Sequence, residues 1–398
     1  MKRSLYAMAF GNFAVGIGAL VVAGVLQPIA ASFETSLSSV GLLITIYALT
    51  YAVGSPLVIA FTGRRERRTL LVVGLGAVVL GNALVALAPS YAAVFLGRIV
   101  TALGAATFTP VASAVAALLS PPEERGRAIA LVFAGFTAAT ALGVPLGTYL
   151  GLVVGWRLTF GVVAALALLA GSFVLRLVPA HVDAPQVNLV VFGRVLRRPV
   201  LVAMLLVTLT QMAAQLSIFT YVAPYVQGRT AVGAVGITLL LLANGAAGFL
   251  GNLGGGRLAD RIGAPRTLAL FLGVLILAFA LLPLIGRSLV LGAASIAVWG
   301  YVGLGFNAPQ QARLVSFAPE LSGAALGLNA SFLYLGISLG SFVGGRVVEA
   351  GYLESLHWLA TALALGAGLL FVVTWRAEAA GRFSIRQQFH ATLRSTDD

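Results

Sequence analysis

The sequence predicts an all-α membrane protein with twelve transmembrane helices in two six-helix halves. Three observations predict this fold: the composition, the recurrence of long apolar stretches, and an internal repeat. Hydrophobic residues make up 60% of the 398 residues and charged residues only 9%, whereas a soluble domain has about 45–50% and about 25%. The composition therefore indicates a protein that crosses the membrane many times.

Apolar stretches of some 20 to 30 residues recur along the chain, and each can cross a hydrocarbon layer about 30 Å thick as a helix. The predicted spans are residues 5–30, 38–62, 69–88, 91–119, 127–152, 157–179, 198–226, 231–256, 265–285, 288–317, 320–348 and 355–376. The segment MKRSLYAMAF resembles the start of a signal peptide. The long apolar run after it, without a clear cleavage site, favours a first membrane helix.

The positive charges follow a topology with the N-terminus in the cytoplasm. Of the 25 Lys and Arg residues, only Arg157, Arg229, Arg287 and Arg346 fall on the outer side, and Arg98 falls inside a span. Cytoplasmic loops of membrane proteins carry such an excess of positive charge. The net charge of +13 therefore reflects topology and no nucleic-acid partner. We expect a bacterial inner-membrane protein with both termini in the cytoplasm.

The second half of the chain repeats the first. Gly143–Gly151 matches Gly336–Gly344, Pro28 matches Pro224, and Arg68 matches Arg266, at offsets of 193, 196 and 198 residues. The predicted division is a bundle over residues 1–179, a cytoplasmic linker over 180–198, a second bundle over 199–376 and a cytoplasmic tail over 377–398. Parallel halves with a central site between them are a transporter arrangement.

Several motifs carry a family resemblance over nearly the whole chain. They are GGGRLADRIGAPR (254–266), GVPLGTYLGLVVGWRLTF (143–160), FTYVAPYV (219–226), WGYVGLGFNAPQQARL (299–314) and LGLNASFLYLGISLGSFVGG (326–345). Together they resemble the major facilitator superfamily, and within it the twelve-span drug:proton antiporters and arabinose-efflux-permease-like proteins. The resemblance implies the major facilitator fold, a monomer, and small-molecule export coupled to protons.

Two departures from the family pattern weaken the expectation of proton coupling. The first-half copy of the 254–266 loop has Gly63 or Thr62 where the family has an Asp. The helix-four pattern keeps Arg98 but loses the family's Gln and first Gly. The resemblance implies a role in proton transfer for Arg98, yet no acid falls in a predicted span beside it.

Six residues are the predicted coupling and gating residues. Arg98 is a costly charge inside the membrane. Gly143 and Gly147, spaced by four, allow close helix packing, and Pro145 between them would let helix five bend. The stretch 254–266 is expected to be the cytoplasmic turn between helices eight and nine. There Asp260, next to Arg261, would accept hydrogen bonds or pair with an arginine as a latch for one conformational state.

Uncharged polar and aromatic side chains within the spans predict the substrate-binding surface. Thr208, Gln211, Gln215 and Phe219 recur every three or four residues, so they lie on one stripe of helix seven. The full predicted set is Asn12, Gln27, Tyr47, Tyr51, Gln211, Gln215, Phe219, Asn244, Tyr301, Asn307, Gln310, Asn329 and Tyr334. Amides and phenols with aromatic walls suit a small-molecule pocket. Hydrogen bonding between helices is the alternative for each residue.

The acidic residues limit the cargo. All twelve Asp and Glu residues fall in predicted loops, helix ends or the tail, so a buried cation would meet no counter-charge. We therefore expect neutral, amphipathic or anionic solutes, with proton antiport and uncoupled diffusion both open. Movement of lipid-like substrates is another alternative, as is a membrane sensor or scaffold on a transporter fold. No catalytic or metal-binding motif is present, so we expect no enzyme activity, cofactor or metal.

Overall fold

The structure, a computed structural model, describes residues 2–62, 65–121, 124–180, 182 and 189–394. This part of the chain is built from helices joined by short turns. The helices of the first half are α1 (Lys2–Leu20, continuing through Val21–Gly24 into Leu26–Ser32), α2 (Leu37–Phe61), α3 (Arg67–Ala86), α4 (Tyr91–Leu118), α5 (Arg125–Ala138, continuing through Ala139–Gly143 and Val144–Leu150 to Gly151–Gly155) and α6 (Trp156–Leu177).

The second half has the same order of elements. Its helices are α7 (Pro199–Phe219 and Val222–Gln227), α8 (Ala234–Ile262), α9 (Ala264–Leu281, continuing into Leu282–Gly286), α10 (Leu289–Gly305 and Asn307–Phe317), α11 (Ser322–Glu349) and α12 (Leu356–Arg394). A short linker helix, Leu189–Leu196, precedes α7. Most of the predicted linker, residues 181 and 183–188, lies outside the described residues.

The prediction of twelve spans is confirmed. Eleven helical stretches of the described chain are long and apolar enough to cross a membrane, and one of them, Arg125–Leu177, has 53 residues. At 1.5 Å per residue this stretch is about 80 Å long, more than twice the hydrocarbon thickness. Gly155, with φ 134°, reverses the chain, and the Thr159 hydroxyl donates to the Gly147 carbonyl at 3.0 Å. The stretch therefore makes two antiparallel crossings, α5 and α6.

The prediction that the turn between helices eight and nine occupies residues 254–266 is wrong. Gly254, Gly255 and Gly256 lie inside α8, and only Gly263, with φ 90°, joins α8 to α9. A Cβ added at Gly255 would meet the backbone of Gly305 in α10. These glycines permit close packing of α8 on α10, because two backbones can approach only where no side chain intervenes.

The internal repeat is also a repeat of helix packing. Glycines spaced by four residues face α1 from α5 and face α7 from α11. An added Cβ would meet Ile17 at Gly143, Val21 at Gly147, Val25 at Gly151, Leu209 at Gly336, Ala213 at Gly340 and Ser217 at Gly344. Both α1 and α7 break and then resume in a short second segment that contains Pro28 or Pro224. The two halves thus share one internal architecture.

The two halves meet along α2 with α11 and along α5 with α8. In the second contact, a Cβ on Gly245 of α8 would meet the backbone of Thr140 and Ala141 in α5. The first contact is strongest at the end of the bundle where α1 ends and α2 begins, which we call the α1–α2 end. Within the described chain, both hydrogen bonds between the halves lie there: Ser341 Oγ to the Gly41 carbonyl at 3.0 Å, and Ser38 Oγ to Glu349 Oε2 at 3.5 Å.

The last helix extends into the segment predicted as the tail. The helix α12 continues past residue 376 to Arg394, and Glu378, expected in a solvated tail, is buried. Its carboxylate lies 2.6 Å from Arg313 Nε of α10. Burial of a carboxylate is costly unless it is paired, so the ion pair with Arg313 offsets the burial of Glu378 and ties α12 to α10.

Candidate functional site

Arg98 is fully buried in α4 and connects three helices of the first half. It donates to the Leu43 carbonyl at 3.3 Å, to the Ala19 carbonyl at 3.0 Å and to the Gly18 carbonyl. The α-helical part of α1 ends at Leu20, so the carbonyls of its last turn need other donors. The guanidinium also lies over the Tyr47 ring, 4.4 Å from its centroid. Arg98 therefore stabilises the break in α1.

Asn12 likewise connects helices. Its amide donates to the Val132 carbonyl of α5 at 3.0 Å, and its oxygen accepts from the Thr109 hydroxyl of α4 at 2.9 Å. The side chain is fully buried. Its donor and acceptor thus both hold α1 against neighbouring helices.

The polar stripe of α7 faces α10 and α11. Gln211 and Gln215 both donate to the Gly303 carbonyl, at 3.2 and 3.5 Å, and Gln215 accepts from the Trp299 indole at 3.0 Å. One turn below, Gln310 donates to Thr208, which donates to Asn329 at 2.7 Å. In this conformation these amides therefore form hydrogen bonds between helices, which is the alternative to substrate binding.

Other predicted binding residues are spread over the second half and the end of α1. Asn244 donates to the Ile296 carbonyl at 3.0 Å, and Asn307 donates to the Leu304 carbonyl at 3.3 Å. Tyr301 packs edge-on against Phe271. Gln27, on the short second segment of α1, is partly buried. These residues do not form a cluster with one another.

A small apolar pocket lies between α7, α8 and α10. Its walls include Phe219, Asn244 and Trp299, and its other residues are aliphatic: Val222, Ala223, Val226, Ile237, Leu240, Leu241 and Ile296. The Asn244 amide and the Trp299 indole donate to Ile296 and Gln215. The pocket therefore offers mainly apolar contact, and it brings together two predicted residues, Phe219 and Asn244.

The aromatic residues of α2 and α11 lie together at the contact between the halves. Tyr51 stacks on Tyr334 with ring centroids 3.7 Å apart and an interplanar angle of 19°. Tyr47 is one helical turn from Tyr51, so the two side chains share a face of α2 beside the stack. The tertiary fold thus assembles three of the predicted residues into one cluster.

The predicted gating residues of α5 pack inside the first half. Gly143 and Gly147 face α1, and Pro145 follows a π-helical segment, Ala139–Gly143. Proline lacks the N–H that would donate to the carbonyl four residues earlier, so a widened turn before it is expected. The neighbouring residues Thr140 and Ala141 meet Gly245 of α8. The irregular part of α5 therefore lies where the two halves touch.

Asp260 and Arg261 are exposed near the C-terminal end of α8. Among the described residues neither side chain takes part in an ion pair or side-chain hydrogen bond. The role of Asp260 as a latch stays a prediction. The loop between α2 and α3, which would lie opposite it in the repeat, is only partly described, because residues 63–64 fall outside the description.

Two arrangements escaped the sequence analysis. The first is the ion pair of Arg313 with Glu378, in which Arg313 also donates to Thr374 at 2.7 Å. Arg313 falls inside the predicted span 288–317, and a charge at that position is the signal in the sequence that a buried partner is needed. The second is Tyr221, whose hydroxyl donates to the Ser341 carbonyl at 3.1 Å and lies against Gly41. No pattern in the sequence signals that contact.

Comparison with known proteins identifies the family. The family model of the Major Facilitator Superfamily matches residues 8–341. The inner membrane transport protein YdhP of Escherichia coli (strain K12) is 33% identical over 368 residues, 92% of this chain and 94% of that protein. The MFS-type transporter YbcL of Bacillus subtilis (strain 168) is 31% identical over 356 residues, 89% of this chain and 91% of that protein.

Solved structures share the fold. A bacterial homologue of the human lysosomal transporter Spinster, in an inward-facing and unoccupied conformation, has a TM-score of 0.77 at 18% identity, covering 95% of this chain and 97% of that chain. A point mutant of the nucleoside transporter NupG has a TM-score of 0.77 at 15% identity, covering 93% of this chain and 98% of that chain. The chain belongs to the Major Facilitator Superfamily and is a multi-pass membrane transporter.

Proposed function

We propose that this protein is a secondary transporter that exports small neutral, amphipathic or anionic organic solutes by alternating access between its two halves. The observation that carries the proposal is the closed contact at the α1–α2 end, where Ser341 of the second half donates to the Gly41 carbonyl of the first half and the Tyr221 hydroxyl lies against Gly41. The buried groups of this contact are uncharged, and the Glu349 carboxylate that accepts from Ser38 is exposed at the helix end. The contact can therefore break and re-form without exposing a charge in the membrane, as repeated rocking requires.

The charge distribution indicates which side of the membrane the closed contact faces. By the positive-inside rule the α1–α2 end faces away from the cytoplasm, so this conformation corresponds to one that is closed to the outside. The proposal therefore places both termini in the cytoplasm of a bacterial cell. Asp260 lies exposed at the opposite end, where a cytoplasmic latch would engage only when that side closes.

The groups near the contact favour uncharged or anionic cargo. The amide donors of Gln211, Gln215 and Gln310 are engaged between helices. Within the described chain, the buried carboxylate is that of Glu378, which is paired with Arg313. A cation would therefore find little compensation for its lost hydration. Facilitated diffusion is the second candidate, because this buried carboxylate is held by an arginine and is not free beside the contact.

Counterflow in proteoliposomes tests the proposal and separates the two candidates. The purified chain is reconstituted and loaded with one member of a panel of neutral, anionic and cationic solutes, and exchange of the labelled solute is followed with and without a pH gradient. We expect exchange of neutral or anionic members and little exchange of cations. Acceleration by the gradient supports antiport, and exchange that ignores the gradient supports facilitated diffusion. Exchange of no member would contradict the transport proposal and favour a sensor or scaffold.

A further inference from the structure

The stacked rings of Tyr51 and Tyr334 join the two halves. Tyr51 belongs to α2 and Tyr334 to α11, and both lie near the middle of their helices, Leu37–Phe61 and Ser322–Glu349. The rings are 4% and 8% exposed. Of the contacts described between α2 and α11, this one lies deepest from the α1–α2 end. It is therefore at the depth where transporters of this architecture hold their cargo.

A polar group without a partner lies next to the stack. The Tyr47 hydroxyl is buried and has no hydrogen-bond partner among the described residues. Tyr47 precedes Tyr51 by one helical turn, so the two side chains share a face of α2. A buried hydroxyl without a partner is costly. A hydrogen bond from a bound molecule would remove that cost.

The local charge is positive. The Arg98 guanidinium lies over the Tyr47 ring, 4.4 Å from the ring centroid, and is held by backbone carbonyls. Among the described residues no carboxylate is paired with it. A molecule beside Tyr47 would therefore feel a net positive charge, which favours neutral or anionic molecules and opposes cations.

We propose that Tyr51 and Tyr334 bind the planar aromatic ring of a neutral or anionic solute between them, with the Tyr47 hydroxyl hydrogen-bonded to a polar substituent on that ring. This inference names a substrate class and rests on the proposed transport function. In the present conformation the two rings contact each other directly. Because they belong to different halves, rocking of the halves separates them without disturbing the packing of either half, and an inserted ring replaces the stack on both faces.

Binding measurements on the full-length chain in nanodiscs test the inference. The probes are 2-naphthol, 2-naphthoate, a naphthyl-trimethylammonium cation and decahydro-2-naphthol, which keeps the hydroxyl and the fused carbon skeleton but is saturated and not planar. We expect 2-naphthol and 2-naphthoate to bind about tenfold or more tightly than the saturated alcohol, since stacking on two rings is lost with planarity. The cation should bind more weakly than 2-naphthol.

Substitutions locate the site. Tyr51→Leu and Tyr334→Leu keep apolar volume but remove the ring, and each should reduce the preference for 2-naphthol over the saturated alcohol to about onefold to threefold. Tyr51→Phe and Tyr334→Phe should retain it. Tyr47→Phe should weaken 2-naphthol by about threefold to tenfold and leave unsubstituted naphthalene unchanged. Tyr149→Leu, on the exposed surface of α5, is the matched control.

The outcomes separate this inference from the transport proposal. If the two Leu variants melt like the wild type and keep the aromatic preference, the stack is a closing contact only and the inference is overturned. Equal affinity of the wild type for planar and saturated alcohols overturns it as well. Counterflow of solutes without aromatic preference would overturn the ring site but leave the transport function standing. Binding with the expected preference, but without counterflow, would contradict transport alone.

Discussion

Two buried arginines are stabilised in different ways. Arg98 is surrounded by backbone carbonyls and an aromatic face, so its charge is met by dipoles. Arg313 is met by a carboxylate 2.6 Å away and by Thr374. Arginine suits both sites because its planar guanidinium presents several donors. The first arrangement fixes the shape of α1, and the second ties α10 to α12.

Arg98→Ala should lower stability without altering coupling. The substitution leaves the carbonyls of Gly18 and Ala19, in the last turn before the break in α1, without their side-chain donor, and a buried unsatisfied group costs about 1–3 kcal/mol. We expect a lower melting temperature for Arg98→Ala in detergent, with Arg98→Lys intermediate. The ratio of counterflow with and without a pH gradient should stay that of the wild type. A normal melting temperature with a lost response to the gradient would instead assign Arg98 to proton transfer.

Among the elements, paired helices with glycine faces organise each half. The repeated glycines of α11 face the backbone of their neighbour, whereas the matching glycines of α5 face side chains. A Cβ at Gly340 would meet the backbone of Ala213, whereas at Gly147 it would meet the side chains of Val21 and Thr159. Backbone cannot move away as a side chain can. At the repeated glycine positions, the α7–α11 contact is therefore less tolerant of added volume than the α1–α5 contact.

Gly340→Ala should destabilise the protein more than Gly147→Ala. The added methyl in α11 forces the two helix backbones apart, and overpacking of this kind costs about 1–3 kcal/mol, whereas Val21 can change rotamer. Gly366→Ala in α12 is the control, because its Cβ would lie 3.7 Å from Thr210, an ordinary contact. Thermal unfolding of the three variants measures the order. Equal melting temperatures for Gly340→Ala and Gly366→Ala would refute the close approach of α7 and α11.

On the scale of the whole molecule, the contacts between α2 and α11 run from the α1–α2 end to the Tyr51–Tyr334 stack in the middle of both helices. Ser38 contacts Glu349 at the α1–α2 end, while Phe61 at the other end of α2 is 78% exposed. The chain contains no cysteine, so introduced pairs of cysteines can be cross-linked at either end without reaction at native thiols. Rigid-body rocking predicts that the two ends close in alternation.

Cross-linking at the two ends should give opposite results. With a short bifunctional thiol reagent, Ser38→Cys/Glu349→Cys should cross-link readily in the resting protein and lose counterflow, since the closed end can no longer open. Phe61→Cys/Ser322→Cys, on the same two helices at the opposite end, should cross-link slowly. Mass spectrometry and gel mobility measure the extent. Equal cross-linking at both ends, or full counterflow after the first cross-link, would contradict rocking of the halves.

Much of the fold could be predicted from the sequence, but little of the site. Hydropathy predicts the spans, because every crossing helix must satisfy its own backbone in lipid. The glycine spacing of α5 and α11 predicts both the repeat and its packing faces. The spacing of Thr208, Gln211 and Gln215 predicts that they share one face of α7, but the pattern along a single helix does not indicate which neighbouring helix that face meets. The structure directs it to α10 and α11.

The membrane class, the twelve crossings, the duplicated architecture and the burial of Arg98 follow from composition and spacing along one chain, so they could be predicted before any contact between helices was known. Only the tertiary structure decided that Tyr51 meets Tyr334, that Tyr221 fits against Gly41, and that Glu378 pairs with Arg313. Each of these contacts joins residues on different helices. Their proximity depends on how helices pack and tilt, and local patterns carry no information about that.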